Sequence, residues 1–360
     1  MSSENNNITH MRHALTLAAR GLGNVAPNPA VGCVIVSREG RIVGRGWTAN
    51  GGRPHAETIA LGQAGEAARG STAYVSLEPC AHHGKTPPCA DALIAAGVAG
   101  VVGAIKDPDP RTSGTGFTKL KAAGIAVSEG VLTDEAKFLN EGFFKTITEN
   151  RPLVALKIAQ STDGYVGRER GQDRWITGKR ARDHGQMLRA QHDAILIGVG
   201  TAMADDPELT CRIPGLEDRS PVRVVLDSHL RLPANSKLVQ TSRKVPLLVF
   251  TTMKDGGENL IALGVEIVRV NADSKGHPDL REVLTALAKR GITRLLVEGG
   301  PAVHASFFEA GLAGRVHLYQ SPTVVGAKGV RGAALPTKRL ACIGRRALAP
   351  DVLESFVVGR

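Results

Sequence analysis

Short apolar, β-branched runs alternate with segments of helical period along the whole chain. In the first part Val31 to Val36, Ile42 to Gly46, Ala73 to Leu77 and Val98 to Ile105 read as strands, and Met11 to Gly21, Ala56 to Ala64 and Ala90 to Ala96 as helices. This alternation predicts an α/β sandwich. A helix over Asp134 to Lys145 closes the unit, and Glu149-Asn150-Arg151-Pro152 is a polar, proline-ended break that suits a boundary. The alternation then restarts with a strand at Leu153 to Ala159 and a helix from Thr177 to Gln191, followed by strands at Ala194 to Ile197, Val222 to Leu226 and Leu247 to Thr251. A helix at Leu280 to Lys289, a strand at Arg294 to Val297, a helix after Gly300 and strands near Val316 to Tyr319 and Glu354 to Val358 complete it. The pattern predicts two α/β domains, residues 1–150 and 151–360. Neither half repeats the other, and the asparagine tract at Asn5-Asn6-Asn7 reads as a frayed tail.

A composition of 42% hydrophobic and 22% charged residues, with 42 glycines and 19 prolines, is that of a globular protein with a packed core. No apolar run approaches the roughly 20 residues that span a bilayer, and the polar start lacks the form of a secretory signal. The expectation is a cytoplasmic protein without a membrane segment. Five scattered cysteines, Cys33, Cys80, Cys89, Cys211 and Cys342, argue against a disulfide framework and leave thiols free for metal. The net charge of +11 invites a nucleic-acid reading, but the basic residues are dispersed and aromatics are only 4%, so stacking platforms are scarce. A small phosphorylated ligand accounts for the charge at least as well. Nucleic acid is not expected as a partner; a homo-oligomer is left open.

The candidate chemistry begins at Pro54-His55-Ala56-Glu57, where a loop turns into a helix. Further on, a strand ends in Glu78-Pro79-Cys80, and Pro87-Pro88-Cys89 opens another helix. Three N/S ligands with an open fourth position are the arrangement of catalytic zinc, whereas structural zinc closes its shell with four protein ligands. Catalytic zinc lowers the pKa of the water in that position to near neutral, and helix starts add positive potential. His55, Cys80 and Cys89 are therefore the candidate zinc ligands, and Glu57 the candidate proton shuttle between water and a leaving amine. H-x-E followed by P-C-x-x-C is the signature of zinc nucleobase deaminases. Here the second cysteine lies nine positions after the first, with Ala81 to Pro88 looped between. A structural zinc site with His82 or His83 as fourth ligand is the competing reading, and it leaves Glu57 without a role.

The second half lacks a G-x-G-x-x-G after its first strand, so the Rossmann fingerprint is absent. It has instead a glycine turn between a strand and a helix, Glu298-Gly299-Gly300-Pro301-Ala302-Val303-His304-Ala305-Ser306. Such a turn is either an ordinary tight connection or a phosphate cradle at a positive helix end.

The chain resembles the bifunctional riboflavin-biosynthesis deaminase/reductase family. The resemblance rests on Ala26-Pro27-Asn28-Pro29-Ala30-Val31-Gly32, Pro54 to Glu57 and the long Leu77 to Cys89 segment, whose cysteine spacing is that family's own. It continues through Leu156-Lys157, Thr162-Asp163-Gly164, Trp175-Ile176-Thr177, Leu188-Arg189-Ala190, Ala204-Asp205-Asp206-Pro207, Asp227-Ser228 and Val297 to Pro301, nearly the whole chain. It implies a cytidine-deaminase-like α/β/α sandwich followed by a dihydrofolate-reductase-like α/β domain. It also implies two consecutive reactions: zinc-dependent loss of the ring amine from a diamino-hydroxy-pyrimidine carrying a phosphoribosylamino group, then NADPH reduction of the ribose to a ribityl chain. By position, Asn28 and His82, with His83, would contact the first substrate and Lys85 its phosphate. Ala159, Trp175, Thr201, Asp205, Ser228 and Gly300, Pro301, Ala302, Val303, His304, Ala305 and Ser306 would hold NADPH. Asp173, Arg189, Leu209, Arg212 and Glu298 would hold the second substrate, the two arginines being suited to its phosphate. Lys157 and Asp205 would move the protons of the reduction. At Asp173-Arg174 the chain departs from the family's usual polar pair. One alternative is a nucleoside or RNA zinc deaminase with an appended binding domain, against which the Cys80 to Cys89 loop and the second-half motifs speak; another is a zinc-stabilised nucleic-acid-binding protein without turnover, which predicts a closed four-ligand site, tight salt-dependent binding and no ammonia release.

Overall fold

The computed structural model describes residues 3–82, 87–110, 112–168 and 175–359. The chain separates into two compact units, Met1–Glu149 and Asn150–Arg360.

The first unit is built on a sheet of five strands, β1 (Gly32–Val36), β2 (Ile42–Trp47), β3 (Thr72–Val75), β4 (Gly100–Gly103) and β5 (Ala126–Glu129), in the order β2-β1-β3-β4-β5. The β1 strand is antiparallel to β2 and β3, while β3, β4 and β5 run parallel. Alternate side chains of β1 go to opposite cores. Cys33 and Ile35 join the layer of α2 (Ala56–Ala64), α3 (Cys89–Ala95) and α4 (Thr115–Ala122), and Val34 and Val36 join that of α1 (Ser3–Ala18) and α5 (Thr133–Leu139). This is the expected three-layer sandwich.

Besides the helix α4, which the sequence pattern did not pick out, three features of this unit differ from that pattern. The asparagine tract is not a tail but the first part of α1, because Met11, Ala14 and Leu15 dock the helix and Tyr74 Oη donates to Asn7 Oδ1 at 2.9 Å. The single helix expected at Asp134 to Lys145 is two, α5 and α6 (Glu141–Glu149). Between them Asn140 is buried and its amide pairs with both backbone groups of Ala30, at 2.9 and 3.0 Å. The β5 strand escaped the sequence pattern because it is a largely exposed edge strand without apolar alternation.

Glycines decide how closely α2 approaches the sheet. A Cβ on Gly44 would stand 2.2 Å from Ala60 O, and one on Gly46 2.1 Å from Ala56 O. The helix that begins at His55 therefore rests on bare strand backbone.

The second unit contains β6 (Leu153–Ser161), β7 (Tyr165–Gly167), α7 (Lys179–Ala190), β8 (Ala194–Gly198), α8 (Val199–Asp205), β9 (Val222–Leu226), α9 (Lys237–Gln240), β10 (Leu247–Thr251), α10 (Glu258–Ala262) and β11 (Glu266–Arg269). After these come α11 (Leu280–Lys289), β12 (Arg294–Val297), α12 (Pro301–Glu309), β13 (Arg315–Ser321), β14 (Val330–Arg331), β15 (Leu340–Leu348) and β16 (Asp351–Val358). Nine strands form one sheet in the order β11-β10-β9-β8-β12-β6-β13-β16-β15. The strands from β11 to β13 pair in parallel, and β16 alone runs the other way, antiparallel to both of its neighbours, β13 and β15. Its two faces carry separate cores, Val154, Leu156 and Ile158 of β6 on one and Ala155 with Tyr319 and the α7 residues Ala181 and Leu188 on the other. The β15 strand gave no pattern because Ala341 to Ala347 are exposed on both faces.

Gly46→Ala is expected to destabilise the protein by about 1–3 kcal/mol, the usual cost of overpacking. Denaturant titration checks this, and an unchanged midpoint would show that α2 can move off the strand.

Candidate functional site

In the first unit, three ligand atoms arrive from three segments. His55 caps α2 in an extended conformation and Glu57 lies in the first turn. Cys89 is the first residue of α3, and Ala90 N donates to Cys80 O at 3.1 Å, joining the two cysteine segments. His55 Nδ1 is 3.3 Å from Cys89 Sγ and 3.7 Å from Cys80 Sγ. A tetrahedral zinc with Zn–S of about 2.3 Å and Zn–N of about 2.0 Å places its ligand atoms about 3.6 Å apart, so this donor set fits one ion. All three atoms lie within 4.8 Å of one another, and among the described residues no fourth His, Cys, Asp or Glu joins them. His82 is turned aside to Thr112, Nδ1 to Oγ1 3.0 Å. His83 and Lys85 lie outside the described residues.

The thiols share their proton unequally. Hydrogen bonding with Cys89 draws Cys80 down to about 4, and the same interaction pushes Cys89 well up. Cys89 N also donates to Cys80 Sγ at 3.3 Å. The hydrogen bond to Cys80 raises the pKa of His55. Glu57 is 3% exposed; burial, and then the charge of Cys80, lift its carboxyl to about 7. A carboxyl titrating near neutrality can both take and return a proton.

Two positioning groups went unremarked in the sequence. Glu78, 3% exposed, accepts the backbone N–H groups of Asp107, Gly114, Gly116 and Phe117 at 3.2, 2.9, 2.8 and 3.4 Å. It ties the Glu78-Pro79-Cys80 corner to the start of α4; an acidic residue closing an apolar strand was the available signal. The other is Asn140, whose hold on Ala30 fixes the Asn28 loop from a distant helix break. Asn28 Nδ2 donates to Gly52 O at 2.7 Å, and a Cβ on Gly52 would meet that nitrogen at 2.4 Å. No hydrogen bond among the described residues occupies Asn28 Oδ1, so it can accept from a ligand.

In the second unit the expected cofactor residues collect at one edge of the sheet. Thr201 follows β8, Ser228 follows β9 and Gly300 follows β12, all at the carboxyl ends of neighbouring parallel strands, with Ala159 near the same end of β6. This edge is where open α/β sheets bind ligands. Gly300 caps α12, Pro301 opens it, and Gly300 N donates to Thr201 Oγ1 at 3.0 Å. A Cβ on Gly299 would meet Ile197 Cα at 3.0 Å, so the turn lies directly on β8. The remaining α12 N–H groups are suited to phosphate. His304 is buried with Nε2 3.3 Å from Val297 O, which places its ring in the turn's own support. Trp175 is exposed, with the Arg182 guanidinium 4.7 Å over its ring.

Beside the turn, Arg189 forms a two-pronged pair with Glu298 at 2.8 and 2.9 Å and donates to Thr210 O at 3.1 Å. Burial alone would raise Glu298, but Arg189 and then Lys157 hold it down to about 2. Burial, with Arg189, lowers Lys157. The structure narrows one expectation: the Arg189 fork is filled by Glu298, and only Arg212, whose side chain is 50% exposed and 3.5 Å from Glu208, has its guanidinium open to a phosphate. Leu209 is buried in the left-handed region, φ 56°, in the same loop. Asp205 is exposed at the end of α8 and makes no hydrogen bond to Lys157, Arg189 or Glu298. Asp173 and Arg174 lie outside the described residues.

Comparison with known proteins gives a consistent result. Residues 152–353 match the RibD C-terminal domain, and residues 4–105 match the cytidine and deoxycytidylate deaminase zinc-binding region. The chain is 43% identical over 317 residues to the riboflavin biosynthesis protein RibD of Aquifex aeolicus, covering 88% of this chain and 87% of that protein. It is 42% identical over 330 residues to RibD of Escherichia coli, covering 88% of each. Among solved structures, Acinetobacter baumannii RibD superposes with a TM-score of 0.89 at 35% identity, covering 99% of this chain and 100% of that one. The diaminohydroxyphosphoribosylaminopyrimidine deaminase/5-amino-6-(5-phosphoribosylamino)uracil reductase of Thermotoga maritima superposes with a TM-score of 0.87 at 34% identity, again covering 99% and 100%.

Metal analysis of the purified protein should find about one zinc per chain, the stoichiometry of a three-ligand site. Cys89→Ser should lose it, since a hydroxyl is a poor substitute for thiolate. Full zinc in the variant would remove Cys89 from the ligand set.

Proposed function

The chain belongs to the RibD family and is a bifunctional deaminase and reductase of riboflavin biosynthesis, and on that premise we propose how its residues divide the work. The deaminase belongs to residues 1–150 and the reductase to 151–360. The division into compact units at Glu149 and the family matches on either side support this assignment.

The observation that carries the deaminase assignment is the convergence of His55, Cys80 and Cys89 without a fourth ligand among the described residues, beside a buried Glu57. Zinc, when bound, supplies the Lewis acidity that makes water a nucleophile at neutral pH. Glu57 takes the proton of the attacking water and returns it to the departing ring amine. Asn28 Oδ1 accepts from the pyrimidine, its amide nitrogen being fixed on Gly52. His82 and His83 contact the substrate, and Lys85 takes its phosphate.

In the reductase, NADPH, when bound, supplies the hydride. Gly300 to Ser306 and Thr201 hold its phosphates, with Ala159 and Ser228 along the same edge and Trp175 and Asp205 as further contacts. Glu298 and Leu209, with Asp173, orient the sugar, and Arg212 meets its phosphate. Lys157, beside Glu298 and Arg189 and lowered by burial, is favoured over the exposed Asp205 as the proton-transfer group. Among the described residues no helix is long and apolar enough to cross a membrane. The five unpaired cysteines support a cytoplasmic enzyme, and the dispersed charge supports a small-molecule partner rather than nucleic acid. The oligomeric state, for which a homo-oligomer stays open, is measured by sedimentation.

The direct test supplies the diamino-pyrimidine ribotide, first without and then with NADPH, and identifies products by mass. Glu57→Gln should retain zinc and lose ammonia release at least about a hundredfold, while still reducing supplied deaminated ribotide. Lys157→Ala should release ammonia normally and accumulate the deaminated intermediate. If folded Glu57→Gln failed to reduce that supplied intermediate, the division into two sites would be wrong.

A further inference from the structure

We propose that His184 is a positioning residue for the reduction: it anchors Tyr319, and the Tyr319 ring holds the Lys157 ammonium beside Glu298. The proposal rests on the reading of Lys157 as the proton-transfer group. Tyr319 is fully buried on β13, next to β6, and a buried tyrosine hydroxyl requires a partner. That partner is His184 Nδ1, 2.7 Å away, the two rings being 5.8 Å apart and tilted by 59°. The Lys157 ammonium lies 5.5 Å from the centre of the Tyr319 ring, within the roughly 6 Å reach of a cation–π contact.

The chain local to His184 is arranged for this. Its neighbour Gly185 is buried on α7, and a Cβ there would stand 4.0 Å from Lys157 Cε, so the helix backbone lies along the lysine stem. Five residues from His184 the same helix supplies Arg189, which clamps Glu298. One helix thus controls Lys157 from two sides, through an aromatic ring on one and a carboxylate on the other.

The direction of the hydrogen bond matters. Burial, with Arg346, lowers His184, and burial raises Tyr319, so both are uncharged near neutrality, and with the His184 proton on Nε2 the Tyr319 hydroxyl donates and Nδ1 accepts. A tyrosine that donates keeps an electron-rich ring facing the ammonium. Protonated His184 would reverse the bond and add a cation beside Lys157. The other groups facing this cluster are Arg346, Arg189, Glu298, His304 and His317; the last two are held down to about 4 by burial, and Glu298 to about 2, where burial is opposed by Arg189. An acid limb below the usual histidine range that His184→Gln removes belongs to His184.

The test measures NADPH-dependent reduction of supplied deaminated ribotide across pH. His184→Leu and Tyr319→Phe should each lower kcat by about tenfold to a hundredfold, the scale of a small misplacement of a reacting group. KM for NADPH should hold, and the double variant should be no worse than either single one. His184→Gln, which can still accept from Tyr319, should restore most of kcat but lose the acid limb. Unchanged kcat in folded His184→Leu, or additive losses in the double variant, would overturn the positioning role, as would an acid limb that survives in His184→Gln. If the unaltered chain does not reduce the supplied ribotide, the reductase reading itself fails, and the variants are not needed to see it.

Discussion

The deaminase unit depends on a place where no side chain fits. The start of α2 lies on the backbone of β2, with Gly44 and Gly46 leaving room for the carbonyls of Ala60 and Ala56. That contact fixes the first turn of the helix, and with it His55 and Glu57, to the strand rather than to a deformable layer of side chains. A helix packed directly on strand backbone has little room to shift, so the positions of His55 and Glu57 follow those of β2. Glu78 performs the matching task for Cys80, through four backbone N–H groups instead of contact alone. A carboxylate so fully engaged holds two loops in register.

The reductase unit solves a different electrostatic problem. Lys157, Arg189 and Glu298 are largely shielded together, and isolated charges there would be costly. Glu298 stays ionised because Arg189 grips it with two hydrogen bonds, while Lys157 has no such partner and its pKa is lowered by burial. The arrangement separates one two-pronged ion pair from one ammonium whose pKa burial lowers. Arg212, outside the pair, stays half-exposed, 3.5 Å from Glu208. The net charge of +11 thus includes open cations at particular sites as well as dispersed surface charge.

Both units place chemistry where backbone N–H groups converge. His55 and Cys89 sit at the starts of α2 and α3, and Gly300 at the start of α12. Helix starts favour negative charge, such as a thiolate or a phosphate. The same local device serves unrelated reactions because the groups in front of it differ.

Much of this was legible in the sequence. Apolar periodicity located most strands and helices, since burial of one face imposes a repeat. The cluster of His55, Cys80 and Cys89 was legible because each carries local signs of a helix start or strand end, and the resemblance to the riboflavin deaminase/reductases supplied both activities. What had no periodic signal was missed: β5 and β15 are exposed edge strands, and Asn140 interrupts a helix for the sake of Ala30, 110 positions away. Likewise Glu78, Tyr319 and His184 owe their places to partners remote in sequence. Sequence by itself determined which residue types were present for the chemistry and which local elements carry them. Only the tertiary structure decided that Arg189 is spent on Glu298 and that His184 reaches Tyr319, because a hydrogen bond depends on distance in space and leaves no mark on the spacing of its partners along the chain.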